Sequence, residues 1–164
     1  MAQYEIKNGV GIIPQGTTTI HDSAFSIQEW LDSKELESIV IPESVTRIGD
    51  CAFFGCENLT SIVLPDSITE IGEYAFYGCK KLTSIIIPNS VVEIGQAAFE
   101  CCKSLKTITL PASLTKIGIS QFFYCYALET IFVPNNSVEF FKIALEEKGA
   151  FLHEPHPQIL PLKE

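Results

Sequence analysis

Six cysteines are the residues of this chain most able to do chemistry, as nucleophiles, metal ligands or disulfide partners. Four of them follow one another at intervals of 23 residues: Cys56, Cys79, Cys102 and Cys125. The sequence has no Cys-x-x-Cys pair, the spacing typical of zinc sites. Equivalent side chains of stacked repeats point the same way, whereas a disulfide requires two side chains that point at each other. The spacing therefore predicts a buried thiol column that fills space, in preference to disulfides or a metal.

The other candidates for chemistry are scattered. Cys51 and Cys101 occupy variable positions and are candidates for reactivity or for crosslinking a dimer. His21 comes early in the chain, and His153 and His156 lie near its end, so none of the three adjoins the central Ser or Cys positions. A nucleophile needs a base within hydrogen-bond reach, and two histidines in a Pro-rich segment lack the ligands of a metal site. We predict no catalytic residues, no metal and no cofactor, and therefore no enzyme.

The composition excludes several other classes of protein. The chain has 164 residues, of which 46% are hydrophobic and 19% charged, so it is predicted to be globular. Its net charge of −9 has the wrong sign for binding nucleic acid or anionic lipid. No apolar run approaches the roughly 20 residues that cross a bilayer, and the opening MAQYEIKNGV shows no signal peptide. We expect no membrane insertion.

The cysteine spacing belongs to a repeat of 23 residues. Its consensus is L-x-x-I-x-I/L-P-x-S-V/I-T-x-I-G-x-x-A-F-x-x-C, and an earlier copy survives around Pro14 and Phe25. The clearest column consists of Pro42, Pro65, Pro88, Pro111 and Pro134. A unit this short cannot bury its own apolar face, so successive units must stack and share one core. The repeat predicts a solenoid.

Each unit is predicted to contain three parts. The residues before the proline form a short strand of a parallel sheet, because proline cannot donate to the ladder and so ends the strand. A second extended piece follows, and then a glycine that is expected to supply a positive φ at a corner. The A-F-x-x-C part has the spacing of one short helical turn on a convex wall. The glycines of this column are Gly49, Gly72, Gly95 and Gly118.

The ends depart from the repeat and are predicted to cap a single domain, 1–164. Residues 1–13 contain Asn8-Gly9, the strongest two-residue signal for a β-hairpin. The repeats occupy 14–134, and 135–149 is predicted to be a capping helix with Ser137 at its N-cap. Residues 150–164 are expected to form an extended tail on this cap or in solvent.

An insert near 26–34 interrupts the first coil. Ile27, Trp30 and Leu31 have the spacing of a short amphipathic helix. Trp30 is the single tryptophan, and it either packs on the back wall or anchors a partner, since tryptophan is enriched in binding hot spots.

Alternation along the first strand of each unit predicts two outward columns on the sheet, beside a polar rim at Glu37, Thr60, Thr83, Lys106 and Glu129. The hydroxyl stripe consists of Ser38, Ser61, Ser84, Thr107 and Thr130. The apolar stripe consists of Val40, Val63, Ile86, Thr109 and Phe132. A contiguous apolar strip often marks a partner site, although β-branched residues also favour strands for their own sake. These ten residues are the candidate binding site.

The columns L-x-x-I-x-I/L-P, S-V/I-T-x-I-G and A-F-x-x-C resemble the BspA-type leucine-rich repeats, known also from treponemal surface proteins. The resemblance covers roughly residues 8–134, and VPNNSVEFFKIALEEK looks like the closing helix of that family. It implies a right-handed leucine-rich repeat β-solenoid, with a parallel sheet on the concave face and short helical turns or irregular coil on the convex face. It also implies secretion or display on a bacterial cell surface, and adhesion to host or extracellular-matrix proteins.

The sequence therefore predicts a non-catalytic module that binds a protein partner through its concave sheet face. The alternative is a structural spacer or a self-associating repeat segment, in which exposed parallel strands of two copies stack into a homodimer.

Overall fold

Each 23-residue unit folds into one coil with up to two short strands, one before and one after its proline. The computed structural model of the protein describes residues 4–26, 34–151 and 155–162. The strands and the helix in these residues are, in chain order, β1 (Glu5–Lys7), β2 (Val10–Ile12), β3 (Thr19–Ile20), β4 (Ser38–Val40), β5 (Arg47–Ile48), β6 (Glu70–Ile71), β7 (Ser84–Ile86), β8 (Glu93–Ile94), β9 (Thr107–Thr109), β10 (Lys116–Ile117), β11 (Thr130–Val133), α1 (Val138–Glu147) and β12 (Gln158–Pro161).

The second strands form an unbroken parallel sheet in the order β10-β8-β6-β5-β3. Its register pairs equivalent residues of successive units, as in Ile20 with Ile48 and Ile48 with Ile71. These three isoleucines are fully buried. The stacking of repeats in register, which the 23-residue spacing predicts, is confirmed.

The first strands form two ladders, β1-β2-β4 and β7-β9-β11-β12, with the coil at 59–65 between them. That coil pairs with β4 through one isolated bridge, Val40 with Val63. Within the described residues, no backbone hydrogen bond joins 60–64 to 83–87. The inward and outward alternation nevertheless continues across this break, because Ile62 and Ile85 are buried while Val63 and Ile86 are exposed.

The back wall is a series of tight turns, so of the two predicted forms, short helical turns or irregular coil, the structure shows the second. Alternate amides bond within the coil and to the next coil. Phe54 N–H donates to the Cys51 carbonyl at 3.0 Å, whereas Phe53 N–H donates to the Ala75 carbonyl of the following coil at 2.8 Å. Backbone hydrogen bonds between successive coils therefore stabilise the back wall, as they stabilise the parallel sheets.

The glycine column does not take a positive φ, which corrects the prediction from sequence. The positive φ falls two residues later, on Ser23, Cys51, Tyr74, Ala97 and Ser120. Glycine is required for a different reason, since a Cβ on Gly72 would lie 2.4 Å from Asp50 Oδ1 and 2.7 Å from the Asp50 backbone nitrogen. Successive coils approach closely at this column, which leaves no room for a side chain.

A stack of phenylalanine rings runs through the core. Phe25, Phe53, Phe76 and Phe99 are buried, and neighbouring ring centroids lie 5.2 to 5.4 Å apart with nearly parallel planes. The stack continues through Phe122, at 6.2 Å from Phe99. Burial of a side chain of this size contributes about 1.5–3 kcal/mol each.

Both predicted caps are confirmed. β1 and β2 form an antiparallel hairpin whose turn residues, Asn8 and Gly9, have φ of 51° and 77°. Helix α1 closes the other end and buries Phe141 and Leu145. Ser137 occupies the predicted N-cap position of α1, and its side chain makes no capping hydrogen bond there.

The tail continues the stack, which the sequence did not predict. β12 pairs in parallel with β11 and places Ile159 beside Ile131. Phe122 N–H donates to the Ala150 carbonyl at 2.9 Å, and the Phe151 ring stacks on Phe122 with centroids 5.8 Å apart. Ala150 and Phe151 thus repeat the A-F pair, and β12 repeats the first strand, of an abbreviated further coil.

The predicted amphipathic helix in the insert, with Ile27, Trp30 and Leu31, lies outside the described residues, as does His153. The two positions offered for Trp30 therefore remain a prediction.

Candidate functional site

The cysteine column is part of the core. Each thiol is buried and donates to the phenylalanine carbonyl of the preceding coil, as Cys56 does to Phe25 at 3.1 Å and Cys102 to Phe76 at 3.2 Å. Burial raises the pKa of Cys56 to about 12 and the pKa of Cys102 well above its ordinary value. Because the thiolate is the nucleophilic form, a raised pKa lowers the reactivity of these thiols. The cysteines of this column therefore connect neighbouring coils through thiol–carbonyl hydrogen bonds.

Cys51 and Cys101, the candidates for reactivity, are half-buried on the back wall. Burial, and then the charge of Asp50, raise the pKa of Cys51, which lowers its reactivity. A hydrogen bond with Cys101 is the main reason that the pKa of Tyr77 rises to about 12. Within the described ranges, no group of three or more His, Cys, Asp or Glu side chains could hold a metal ion.

The serine that follows each proline also joins neighbouring coils. Ser67 Oγ donates to the Val45 carbonyl at 2.6 Å, and Ser113 Oγ donates to the Val91 carbonyl at 2.7 Å. These hydroxyls are only partly exposed. The repeated serine is therefore explained by the fold.

Charged side chains beside the second sheet also pair across coils. Arg47 Nε donates to Glu70 Oε1 at 3.1 Å, and its guanidinium lies 3.5 Å from Asp22 and 3.9 Å from Asp50. The hydrogen bond to Glu70 is the main cause that raises the pKa of Arg47. Asp50 Oδ1 also accepts from the Glu73 backbone N–H of the next coil at 2.9 Å. The charged side chains of this face are therefore paired with one another and with the backbone of neighbouring coils.

The apolar stripe of the first sheet has no such partners. The exposed fractions of Val40, Val63 and Ile86 are 74%, 79% and 70%, which are the highest of any large hydrophobic residue among those described. Thr109 and Phe132, at the other end of the stripe, are half-buried. The unbroken second sheet holds neighbouring coils about 4.8 Å apart, so these side chains form one line although the first ladder is interrupted between Val63 and Ile86.

The structure extends the apolar stripe at both ends. Ile12 pairs with Val40 and is 40% exposed, and Leu160 pairs with Phe132 and is 39% exposed. Ile12 precedes Pro14 by two residues, as Val40 precedes Pro42, so the repeat carried a signal that sequence reasoning missed. Leu160 lies directly before Pro161, one residue out of step, and had no such signal. The stripe has seven members, six of them apolar.

The hydroxyl stripe lies beside it. Its residues Ser38, Ser61, Ser84, Thr107 and Thr130 stand in register, for example Ser84 beside Thr107 and Thr107 beside Thr130. No hydrogen bond from any of these five side chains is found in the part of the chain that the structure describes. The fold therefore does not require hydroxyl groups here, in contrast to the serine column after the prolines.

Four of the five charged side chains along the rims of this face are acidic. Glu37 and Glu129 flank the strands on one side, and Glu43 and Asp66 follow the strand ends on the other. Lys106 is the basic residue of the rim predicted from sequence. All five side chains are exposed. The ten predicted residues thus lie on one face, which consists of the apolar stripe, the hydroxyl stripe and a polar border whose charges are mostly acidic.

Comparison with known proteins identifies the repeat. Residues 18–148 match the model of the BspA type leucine rich repeat region, in six copies. No curated protein matches the chain. No helix in the described residues has both the length and the hydropathy needed to span a membrane.

Solved structures of bacterial leucine-rich repeat proteins are similar to it. The T. pallidum leucine rich repeat protein is 31% identical, with a TM-score of 0.68 over 80% of this chain and 68% of that one. A leucine rich cell surface protein of Faecalibacterium prausnitzii is 37% identical, with a TM-score of 0.69 over 77% of this chain and 32% of that one. A leucine-rich repeat protein of Bacteroides ovatus is 29% identical, with a TM-score of 0.67 over 94% and 42%. The chain thus spans less than half the length of the last two.

The match covers most of the chain, and the stacked coils, the proline-ended strands and the two caps agree with it. The protein belongs to the BspA-type leucine-rich repeat family.

Proposed function

We propose that the protein is a non-catalytic module that binds a partner protein through its sheet face, with the apolar stripe at the centre of contact. Leucine-rich repeats in general act as protein-interaction modules, and this chain belongs to such a family. The observation that carries the proposal is the line from Ile12 to Leu160, whose central members are 70–79% exposed although nothing in the fold requires an apolar residue there.

The physical basis is a surface fixed before binding. Most stripe residues stand on strands that pair with neighbouring coils, and Val63 is joined to β4 by a bridge, so little conformational entropy is lost when a partner docks. Val63 and Ile86 would supply apolar burial at the centre, and the free hydroxyls of Ser61 and Ser84 would supply hydrogen bonds beside them. An apolar centre with a polar border is the usual anatomy of a protein interface.

The similar structures also support a location for this activity. The F. prausnitzii protein is described as a cell surface protein. We place the present protein in the same setting, secreted or displayed on a bacterial cell, with a host or extracellular-matrix protein as partner. Its acidic character, at −9, disfavours nucleic acid in that role.

The experiment compares three forms of the protein for binding to a panel of purified extracellular-matrix and host surface proteins. They are the unaltered chain, the double variant Val63→Glu/Ile86→Glu, and Val92→Glu. Val92 is a matched control because it is an exposed valine, at 45%, outside the apolar stripe. We expect the double variant to lose at least tenfold in affinity, because a buried carboxylate without a partner is costly at an interface.

The unfolding transition of each form shows whether the substitutions leave the fold intact, as expected for exposed positions. Equal loss with Val92→Glu, or unchanged binding by the double variant, would show that the sheet face is not the site. A concentration-dependent dimer that disappears in the double variant would instead assign the face to self-association.

A further inference from the structure

We infer that the segment seated on the sheet face is a basic amphipathic α-helix of about 19 residues, lying along the apolar stripe and across the strands. This inference rests on the proposed function and specifies the structure and charge of the partner. Three properties of the described residues lead to it: the period of the stripe, the width of the face and the charge of its rims.

The period of the stripe fits a helix better than an extended chain. The unbroken second sheet sets a spacing of about 4.8 Å between neighbouring coils, so the seven residues from Ile12 to Leu160 span about 29 Å in six steps. One face of an α-helix presents side chains about every 5.4 Å, so six steps accumulate a mismatch of about 4 Å, less than one rung. One face of an extended chain presents them about every 6.7 Å, and the mismatch grows to about 11 Å, more than two rungs.

The width of the face fits the same occupant. A three-residue strand such as β7 extends about 10 Å across the stripe, close to the diameter of an α-helix with its side chains. A helix centred on Val63 and Ile86 would place its apolar residues on the stripe. Its lateral residues would reach Ser61 and Ser84 on one side, where the hydroxyls make no hydrogen bond within the described chain.

The rims define the charge of the occupant. Glu37 and Glu129 on one side and Glu43 and Asp66 on the other are exposed, and none of the four makes an ion pair within the described residues. Lys106 is the one base of the rim predicted from sequence. Lysine and arginine along both flanks of the helix would complement these carboxylates and accelerate encounter.

A second copy of this chain is a poorer occupant. Two copies would each carry a charge of −9 and would bring acidic rims together.

The test uses two displayed libraries of 21-residue peptides. In one library, apolar residues are fixed at helical spacing, i, i+3, i+4 and i+7. In the other library they alternate with a period of two, and all remaining positions are randomised in both. Each library is selected on the full chain, and the affinity of each winning peptide is measured against the full chain, Val63→Glu/Ile86→Glu and Val92→Glu.

The inference predicts that the helical library gives the tighter binders, with lysine or arginine enriched beside the apolar residues and helical circular dichroism in the complex. Their affinity should fall at least tenfold for the double variant and stay within twofold for Val92→Glu. Winners from the alternating library that depend on Val63 and Ile86 would overturn the helix while leaving the binding face in place. If no winner depends on Val63 and Ile86, or none is obtained, both proposals fail.

Discussion

Two columns of this protein carry hydroxyl side chains at the same 23-residue period: the serines after the prolines and the hydroxyl stripe of the sheet. They differ in whether those hydroxyls make hydrogen bonds to a neighbouring coil. Ser67 donates to the Val45 carbonyl of the neighbouring coil at 2.6 Å, whereas Ser61 makes no side-chain hydrogen bond within the described residues. The first hydroxyl is explained by the fold and the second is not. A recurring residue in a solenoid therefore points to function only where the stacking of coils does not already require it.

The same contrast separates the buried phenylalanine stack from the exposed apolar stripe. Phe76 is fully buried between Phe53 and Phe99, so its recurrence follows from packing. Val63 is 79% exposed, and no packing demand explains it. Substitutions in the buried columns should therefore lower stability, and substitutions in the exposed stripes should lower binding.

The largest expected effect is on the buried phenylalanine stack. Phe76→Ala removes a ring that contacts a ring on each side, and we expect it to lower the free energy of unfolding by about 3–5 kcal/mol. Urea denaturation followed by circular dichroism measures this change. Val63→Ala is the control from the sheet face, with an expected change within about 0.5 kcal/mol. Similar losses for both would remove the distinction between the columns.

An intermediate effect is expected from the thiol column at high pH. Burial raises the pKa of Cys56 from 9.0 to about 12, so the folded thiol keeps its proton where the unfolded thiol loses it. The stabilisation is complete below about pH 9 and is lost as pH rises towards 12, by up to about 1.4 kcal/mol per pH unit. Urea titrations at several pH values should show a shallower decline for Cys56→Ala than for the unaltered chain. Ser67→Ala, which removes no titratable group, should leave the slope unchanged, and an unchanged slope in Cys56→Ala would contradict a buried, protonated thiol.

The smallest effect compares the two serines directly. Ser67→Ala leaves the Val45 carbonyl without its hydroxyl donor, and we expect a loss of about 1 kcal/mol in the free energy of unfolding. Ser61→Ala removes no hydrogen bond that the structure shows, and should change it by less than about 0.5 kcal/mol. Reversed values would mean that the hydroxyl stripe serves the fold.

The sequence predicts much of this architecture because a repeat reveals which residues are equivalent. The stacking of Ile48 on Ile71, the hairpin at Asn8-Gly9 and the outward direction of Val63 and Ile86 all follow from the 23-residue period and from strand alternation. The same reasoning predicts the candidate face, since its residues are the outward neighbours of buried ones.

The period does not specify the backbone conformation within a coil. Gly72 was expected to take a positive φ, but its role is to let Asp50 of the preceding coil approach, a contact between residues distant in sequence. The positive φ falls on Tyr74, a residue type that gives no signal for it. The gap between the two ladders of the first sheet likewise has no sequence signal, because 59–65 and 82–88 follow the same consensus.

The extended tail was predicted, but its pairing with β11 was not, because the tail departs from the 23-residue period. Ile159 and Leu160 pair with β11 at an offset that no repeat spacing predicts, and helix α1 stands between them and the last full coil. Phe151 continues the core by stacking on Phe122, and Leu160 extends the apolar stripe by pairing with Phe132, and both contacts arise only in the folded chain.

The most direct test of the central claim is site-specific photocrosslinking to whichever protein binds most tightly in the panel. A benzophenone amino acid is introduced singly at Val40, Val63 or Ile86 in the apolar stripe. The controls replace exposed apolar residues elsewhere, Val92 and Ile119, which are 45% and 48% exposed. The account predicts covalent complexes from the three stripe positions and none from the two controls. Complexes formed at Val92 or Ile119, with none at the stripe, would contradict it.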